Sequence, residues 1–171
     1  MNLIDLIQRS QRDDRLAQRE LYYAYKDSLY TLVVRILNDK DQAKDILQET
    51  FIDAFRGIQK LEEPAYFYSW IRQILVRKAY KSNRDSKHLK FVESIEDEML
   101  TTDAPADTGY IEAAIAQLPL RSRIVFMMIE VEGFSHKEVA ETLDISLGTS
   151  KSQLHYAKSK LKQRLKKYYN R

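Results

Sequence analysis

The residue types that most often do chemistry are sparse in this sequence. It has no cysteine, which excludes disulfide scaffolds, cysteine nucleophiles and thiolate metal sites. His88, His136 and His155 have no second histidine four residues away, and no Glu-x-x-His pair or phosphate-binding glycine loop occurs. We therefore expect no metal and no cofactor. Asp45 and Glu49 share a helix face, but no nucleophile, metal site or pocket accompanies them, so we expect a solvated or partner-facing surface on a protein that is not an enzyme.

Charge is the more informative chemistry, because it is unevenly distributed along the chain. The 171 residues carry a net charge of only +3. Residues 72–90 hold seven cations and one acid, and residues 145–171 hold eight cations and no acid. A single basic run is ordinarily a solvated helix face. Two such blocks favour a long polyanion such as DNA or RNA, which binds through release of counterions from its phosphates.

The two basic blocks are separated by an acidic stretch. Residues 93–112 contain seven acids and no Lys or Arg, with Pro105 and Gly109 among them. This composition is typical of a solvated segment that has no apolar face to bury. The sequence therefore predicts a domain in residues 1–90, an acidic flexible linker in 91–108 and a second domain in 109–171.

The elements that position these charges are predicted to be helices. Four Gly and three Pro are too few to supply the turns of a many-stranded protein, so the fold class is all-α, with two small helical domains. A helix is expected from Asp14 to Asn38, with Leu16 and Leu29 at the start of its apolar stripe. From Asp41 to Ile58 the three-and-four spacing predicts a second helix, whose buried stripe comprises Ala43, Ile46, Leu47, Thr50, Phe51, Ala54, Phe55 and Ile58.

The next predicted helix, from Ala65 to about Asn83, combines aromatic rings with cations. Rings that stack on bases, next to charges that meet phosphates, suit single-stranded nucleic acid. Its apolar stripe would consist of Phe67, Ile71, Ile74 and Leu75. A core role is the alternative for Phe67, and Trp70 could be packed at one edge and exposed at the other.

The C-terminal domain has the layout of a helix-turn-helix. Helices are expected over Tyr110–Leu118 and Leu120–Glu132, and a capping box at Ser135–Glu138 starts a short helix. A turn at 144–146 leads to a last helix from Leu147. On this helix a wheel separates a buried side (Leu147, Ser150, Leu154, Ala157, Leu161, Leu165 and Tyr168) from a groove side (Thr149, Ser152, Gln153 and Tyr156). The groove side is where a recognition helix would meet base edges, although any surface helix has a polar side.

Five segments taken together resemble a known family. They are residues 41–51 (DQAKDILQETF), 70–74 (WIRQI), 118–123 (LPLRSR), 132–140 (EGFSHKEVA) and 148–154 (GTSKSQL). Each is weak alone, but their order and spacing resemble the extracytoplasmic-function (ECF) group of bacterial RNA polymerase sigma factors, collinearly from about Leu21 to Leu165. The resemblance implies an alternative sigma factor that binds core RNA polymerase and directs promoter recognition, DNA melting and transcription initiation.

The resemblance also implies three binding surfaces. Core polymerase would bind Asp45, Gln48, Glu49 and Ile52. The melted minus-ten element would contact Tyr66, Phe67, Tyr68, Trp70, Arg72, Gln73, Arg77, Lys78, Lys81 and Arg84. The duplex minus-thirty-five element would contact Lys137, Thr149, Lys151, Ser152, Gln153, His155, Tyr156 and Lys158. The linker would thread the polymerase channel, an anti-sigma factor would be a further partner, and we expect a cytoplasmic protein without membrane insertion.

Departures from the family pattern limit what this resemblance implies. Many members carry Asn at Arg77 and Asp at Lys81, so specific minus-ten contacts are not carried over there. Many also have Arg at Gln153 and Tyr156, which suggests a promoter preference of this chain's own. The alternative function is a helix-turn-helix DNA-binding regulator that never engages polymerase. A third hypothesis is a helical adaptor without nucleic acid.

Overall fold

The computed structural model describes residues 2–88 and 109–169, and within them every regular element is helical. The chain forms two compact units, Met1–Ala79 and Tyr80–Arg171. The fold class predicted from the sequence is confirmed. The predicted acidic linker, 91–108, lies outside the described residues. No described helix is both long enough and apolar enough to cross a membrane.

The N-terminal unit is built from four helices, the last of which continues past the unit's boundary at Ala79. They are α1 (Leu3–Ser10), α2 (Arg15–Leu37), α3 (Lys40–Gly57) and α4 (Phe67–His88), with 3₁₀ turns at Ile58–Lys60 and Pro64–Tyr66 before α4. Asp14 and Asp39 cap the free amides that begin α2 and α3, and Asn38 ends α2 in the left-handed conformation. These caps explain why Asp14, Asn38 and Asp39 mark helix boundaries in the sequence.

The core of this unit follows the predicted stripes with three differences. The α3 stripe is buried as expected, apart from half-buried Phe55. Leu16 was placed in the α2 stripe but is 64% exposed, because Ala17 and Leu21 occupy the inward face. On α4 Ile74 is only half-buried, and the sequence prediction missed Val76 and Ala79, which complete the buried side.

The first helix, α1, was not predicted at all. Asn2 caps it, and Leu6, Ile7 and Ser10 are buried where it packs against α2 and the Pro64–Tyr66 turn. At eight residues it is too short to be stable alone. Tertiary packing therefore supplies much of its stability, and the sequence reasoning did not use the apolar pattern of these two turns.

The C-terminal unit contains α5 (Tyr110–Ala116), α6 (Leu120–Phe126), a π-helical turn (Met127–Val131), α7 (His136–Leu143) and α8 (Leu147–Tyr169). The helix expected over Leu120–Glu132 thus changes to π-helical geometry at Met127. Gly133 follows with φ 75°, and the predicted capping box at Ser135 and Glu138 is present. Asp144 adopts φ 54° in the turn before α8, a conformation that Asp tolerates better than most residues.

A buried arginine supports the start of this unit. Arg123 is 7% exposed, and its Nη1 donates a hydrogen bond to the carbonyl oxygen of Ala116, while Arg164 donates to that of Ala114 at 3.3 Å. Burial lowers the pKa of Arg123 to about 10, which leaves the group charged at neutral pH. Both cations thus satisfy carbonyl groups near the C-terminal end of α5.

Candidate polymerase and nucleic-acid interfaces

The four residues expected to bind polymerase lie on the outer face of α3. Asp45, Gln48 and Glu49 are exposed, and Ile52 is 42% exposed, an unusual apolar side chain among acids. All four therefore share one accessible surface, opposite the buried stripe of the same helix. An acidic face with an apolar member can combine charge attraction with burial of a hydrophobic side chain.

A shallow groove that the sequence reasoning missed runs beside this acidic face. It has a volume of about 510 Å³ and is lined by Tyr22, Lys44, Leu47, Gln48, Phe51, Ile52 and Phe55. The ring of Tyr22 packs edge-on against Phe51, with their centroids 4.8 Å apart. The groove exists because α2 contributes an aromatic ring across from α3. The periodicity of α3 alone cannot predict that Tyr22 of another helix lies beside it.

The aromatic rings on the surface expected to read the minus-ten element differ in how exposed they are. Tyr66 is 65% exposed, whereas Trp70 is half-buried and packs beside Gly57. Tyr68 stacks on Tyr25 with centroids 5.2 Å apart, and the Arg72 guanidinium lies 4.5 Å from its ring centre. Tyr66 is therefore the ring most available to an unpaired base, and Trp70 presents one edge.

Phe67 does not belong to this surface. Its ring is fully buried, with neighbours that include Tyr25 at 5.5 Å and Trp70 at 6.1 Å between centroids. The expectation that Phe67 contacts DNA is corrected, because its alternative role in the core accounts for its position.

Lys78 also departs from the expected DNA surface. Its Nζ lies 2.7 Å from Oδ2 of Asp53 and 3.3 Å from Oε2 of Glu49, so it joins α4 to α3. Burial lowers the pKa of this ammonium group, but the hydrogen bonds to Asp53 and Glu49 outweigh it and leave the pKa raised. In this structure Lys78 pairs with acids of the polymerase-facing helix.

The other polar residues of the set are partly or fully accessible on α4. Arg77 and Lys81 are exposed on α4, and Arg72 and Gln73 are half-buried. The prediction for Arg84 concerns a side chain outside the described part of the structure. These positions place a cationic strip along α4, beginning near the exposed ring of Tyr66.

The helix-turn-helix is held together by polar contacts at its turn. Ser146 Oγ accepts a hydrogen bond from the amide of Thr149 at 2.9 Å and lies 2.8 Å from its hydroxyl. His136 Nδ1 lies 2.9 Å from Oγ of the buried Ser150, which ties the start of α7 to α8. Ser150 was placed on the buried side of the wheel, and this contact gives its physical reason. The sequence reasoning missed His136 as its partner.

The groove side of α8 is accessible as predicted. Lys151, Ser152, His155 and Tyr156 are exposed, Gln153 and Thr149 are half-buried, and Lys137 is exposed on α7. Lys160 lies 5.5 Å from the ring centre of Tyr156. Lys158 is half exposed and pairs with Glu130 at 2.7 Å. Leu147 is corrected: it was placed on the buried side but is 47% exposed.

Within residues 2–88 and 109–169, no group of three His, Asp or Glu side chains comes together in a way that could hold a metal ion. The residues singled out from the sequence lie on three surfaces: an acidic face with its groove on α3, a ring-and-cation strip on α4, and a polar, cationic face on α8. Surfaces of these kinds can bind protein and nucleic acid.

Two families of known proteins match successive parts of this chain. The family described as "Sigma-70 region 2" matches residues 21–88, and "Sigma-70, region 4" matches residues 108–161. The RNA polymerase sigma-H factor of Pseudomonas aeruginosa is 27% identical, covering 94% of this chain and 92% of that protein. The ECF RNA polymerase sigma factor SigW of Bacillus subtilis is 25% identical, covering 94% and 95%.

A solved structure supports the fold. The sigma factor RpoE of Bartonella quintana, crystallised with the anti-sigma factor NepR, superposes with a TM-score of 0.65 at 21% identity, covering 86% of this chain and 96% of that one. The two region families match this chain in order, region 2 before region 4. Similar sigma factors also align with nearly the whole length of the chain. The chain therefore belongs to the sigma-70 family of RNA polymerase sigma factors, in its ECF group.

Proposed function

We propose that this chain is an alternative sigma factor that holds core RNA polymerase with α3 while α4 and α8 bind two separate promoter elements. The carrying observation is that regions 2 and 4 occur in order on one chain. We assign residues 1–90 to core and minus-ten binding, 91–108 to a linker and 109–171 to minus-thirty-five binding.

The division of labour follows from the surfaces. The acidic α3 face, with Ile52 and the adjoining groove, suits a protein that offers cations around an apolar side chain. On α4 the exposed Tyr66 can stack on an unpaired base, and Arg77 and Lys81 can meet phosphates. On α8 Gln153 can pair with a base edge, with Lys151 at the phosphates.

The protein would catalyse no reaction of its own, because polymerase supplies the chemistry. It would work in the cytoplasm, where core polymerase and the chromosome are found. We also propose an anti-sigma regulator, since the similar sigma factor RpoE has been solved with an anti-sigma factor. The exposed α3 face and its groove are a surface that such a regulator could occupy.

Promoter-directed run-off transcription tests the function. Purified core polymerase should initiate at a cognate promoter only when the chain is added, and initiation without dependence on the chain would overturn the proposal. The double change Asp45→Lys with Gln48→Lys, which reverses one charge and adds another, should abolish capture of core polymerase. Glu20→Lys, an exposed reversal on α2, is the matched control.

The same capture assay separates the runner-up function. A regulator that never engages polymerase would bind promoter DNA through α8 and would capture no core enzyme, whatever stands at Asp45. The match of residues 21–88 to region 2 favours the sigma factor.

A further inference from the structure

The side chain of Gln11 fastens the segment between α3 and α4, and Gln59 of that segment donates a hydrogen bond back to the Gln11 carbonyl oxygen at 3.5 Å. Gln11, which directly follows α1, donates its side-chain amide to the carbonyl oxygen of Ile58 at 3.1 Å and to that of Leu61 at 2.9 Å. These bonds join residues 47 and 50 positions apart. An amide NH₂ group carries two hydrogens, so one side chain satisfies both acceptors.

Each acceptor lies at the end of a helical turn. Ile58 follows α3, and its carbonyl oxygen also accepts the backbone amide of Leu61 at 3.1 Å, whereas Leu61 follows the 3₁₀ turn, where the helical hydrogen-bond pattern ends. Both apolar side chains are buried, Ile58 at 1% and Leu61 at 8% exposure. The amide of Gln11 therefore fixes the path of the chain as it leaves the polymerase-binding helix.

The fastened segment leads directly to the exposed ring of the minus-ten surface. Pro64–Tyr66 forms the next turn, Tyr66 is 65% exposed, and α4 begins at Phe67. The helix α1 packs against this same turn. Gln11 therefore holds the start of the segment through hydrogen bonds, and α1 packs against its end at the Pro64–Tyr66 turn.

This fastening precedes the residues that the region 2 family matches. The region 2 match begins at residue 21, whereas α1 and Gln11 precede it. Leu6 and Ile7 are nevertheless as buried as core residues of the matched helices. Because α1 packs closely against the turn that leads to Tyr66, it can hold that turn in place.

We propose that α1 and Gln11 are a positioning device for promoter opening: they hold residues 58–66 so that Tyr66 and the edge of Trp70 meet the unwound strand. Gln11 is a positioning residue, because it acts through the backbone of Ile58 and Leu61 and touches no DNA. This inference rests on the proposed function and concerns its minus-ten step alone.

The test replaces Gln11 with methionine in the full chain assembled with core polymerase. Methionine keeps the length and removes both donors. Opening is followed by fluorescence of 2-aminopurine placed in the non-template minus-ten strand, and core affinity by anisotropy of labelled protein. We expect opening to fall about five- to tenfold, the loss expected for about one net hydrogen-bond contribution, with core affinity unchanged.

Two further variants make the result specific. Gln8→Met makes the same change on the exposed side of α1 and should open DNA like the unmodified protein. Gln11→Lys returns hydrogen-bond donors and should restore much of the opening. A template already unpaired at the minus-ten element should also rescue Gln11→Met, because the opening step is bypassed.

Three outcomes would overturn the proposal. Opening by Gln11→Met equal to that of the unmodified protein would remove the role of the amide. A parallel loss of core affinity would indicate general loss of structure, and equal defects in Gln11→Met and Gln11→Lys would indicate packing rather than donation. If the unmodified chain supports no initiation, the proposed function itself fails, which is a separate result because it needs no variant.

Discussion

Replacing Lys78 with methionine should destabilise the N-terminal unit by about 1–2 kcal/mol, because it removes two ion pairs between α3 and α4. The Lys78 side chain is 22% exposed, and those of Asp53 and Glu49 are 47% and 60% exposed. Solvent-exposed pairs contribute roughly 0.2–1 kcal/mol each, and partial burial of the lysine places these two toward the upper end. A loss of this size lowers the folded-to-unfolded ratio by about 5- to 30-fold.

The assay can be confined to the unit concerned. Trp70 is the only tryptophan of the chain and lies on α4, so urea unfolding followed by its fluorescence reports on the N-terminal unit. Lys81→Met, an exposed change on the same helix, is the control and should shift the midpoint little. A double-mutant cycle with Asp53→Asn should give a coupling energy of about 0.5 kcal/mol or more.

The pH dependence of this contribution has a defined sign. The pKa of Lys78 is raised above lysine's ordinary 10.5 in the folded chain. Its stabilisation is therefore fully present below that ordinary value and is lost as the pH rises through the raised one. A coupling energy near zero, or a destabilisation that persists unchanged above this range, would refute the assignment of Lys78 to the acids.

The remaining predictions concern the C-terminal unit. Gln153→Ala should change base preference at one position by about 1–3 kcal/mol. Lys151→Ala should instead weaken binding to all DNA sequences alike and lower the salt slope by about one phosphate contact. Binding to randomised duplexes at several salt concentrations measures both effects, and exchanged behaviour of the two variants would contradict the assignments. Ser135→Ala should cost about 1 kcal/mol through loss of the helix cap; circular-dichroism melting, with exposed Ser159→Ala as control, checks it, and equal melting temperatures would speak against it. Gly133→Ala should cost about 1 kcal/mol from its left-handed backbone alone, since no atom lies within 4 Å of an added Cβ, and an unchanged melting temperature would rule this out.

The α3 stripe and the capping box before α7 were read correctly from the sequence. The α3 stripe recurs at three-and-four spacing over four turns, and the capping box joins residues only three positions apart. Each depends on neighbours along the chain, so the sequence contains the whole signal. The order of the family motifs extended this to the assignment of family and function.

The sequence was less informative for side chains that could either pack in the core or face solvent. Phe67 could serve the core or a base, and Leu147 fell on the buried arc of its wheel, yet the first is buried and the second is exposed. A helical wheel gives a direction and cannot say whether another helix lies there. The π-helical turn at Met127–Val131 and the groove lined by Tyr22 likewise depend on packing that no local pattern predicts.

The sequence by itself determined the helices with strong periodicity or caps, the separation of charge and the family. The tertiary structure alone decided which partner each ambiguous side chain has. Lys78 could meet a phosphate or a carboxylate, and the packing of α4 on α3 brings Asp53 to 2.7 Å. Gln11 has no motif around it, and only folding brings the carbonyl groups of Ile58 and Leu61 to its amide. The physical reason is that a long-range contact depends on how helices pack, whereas caps and stripes depend on residues a turn or two away.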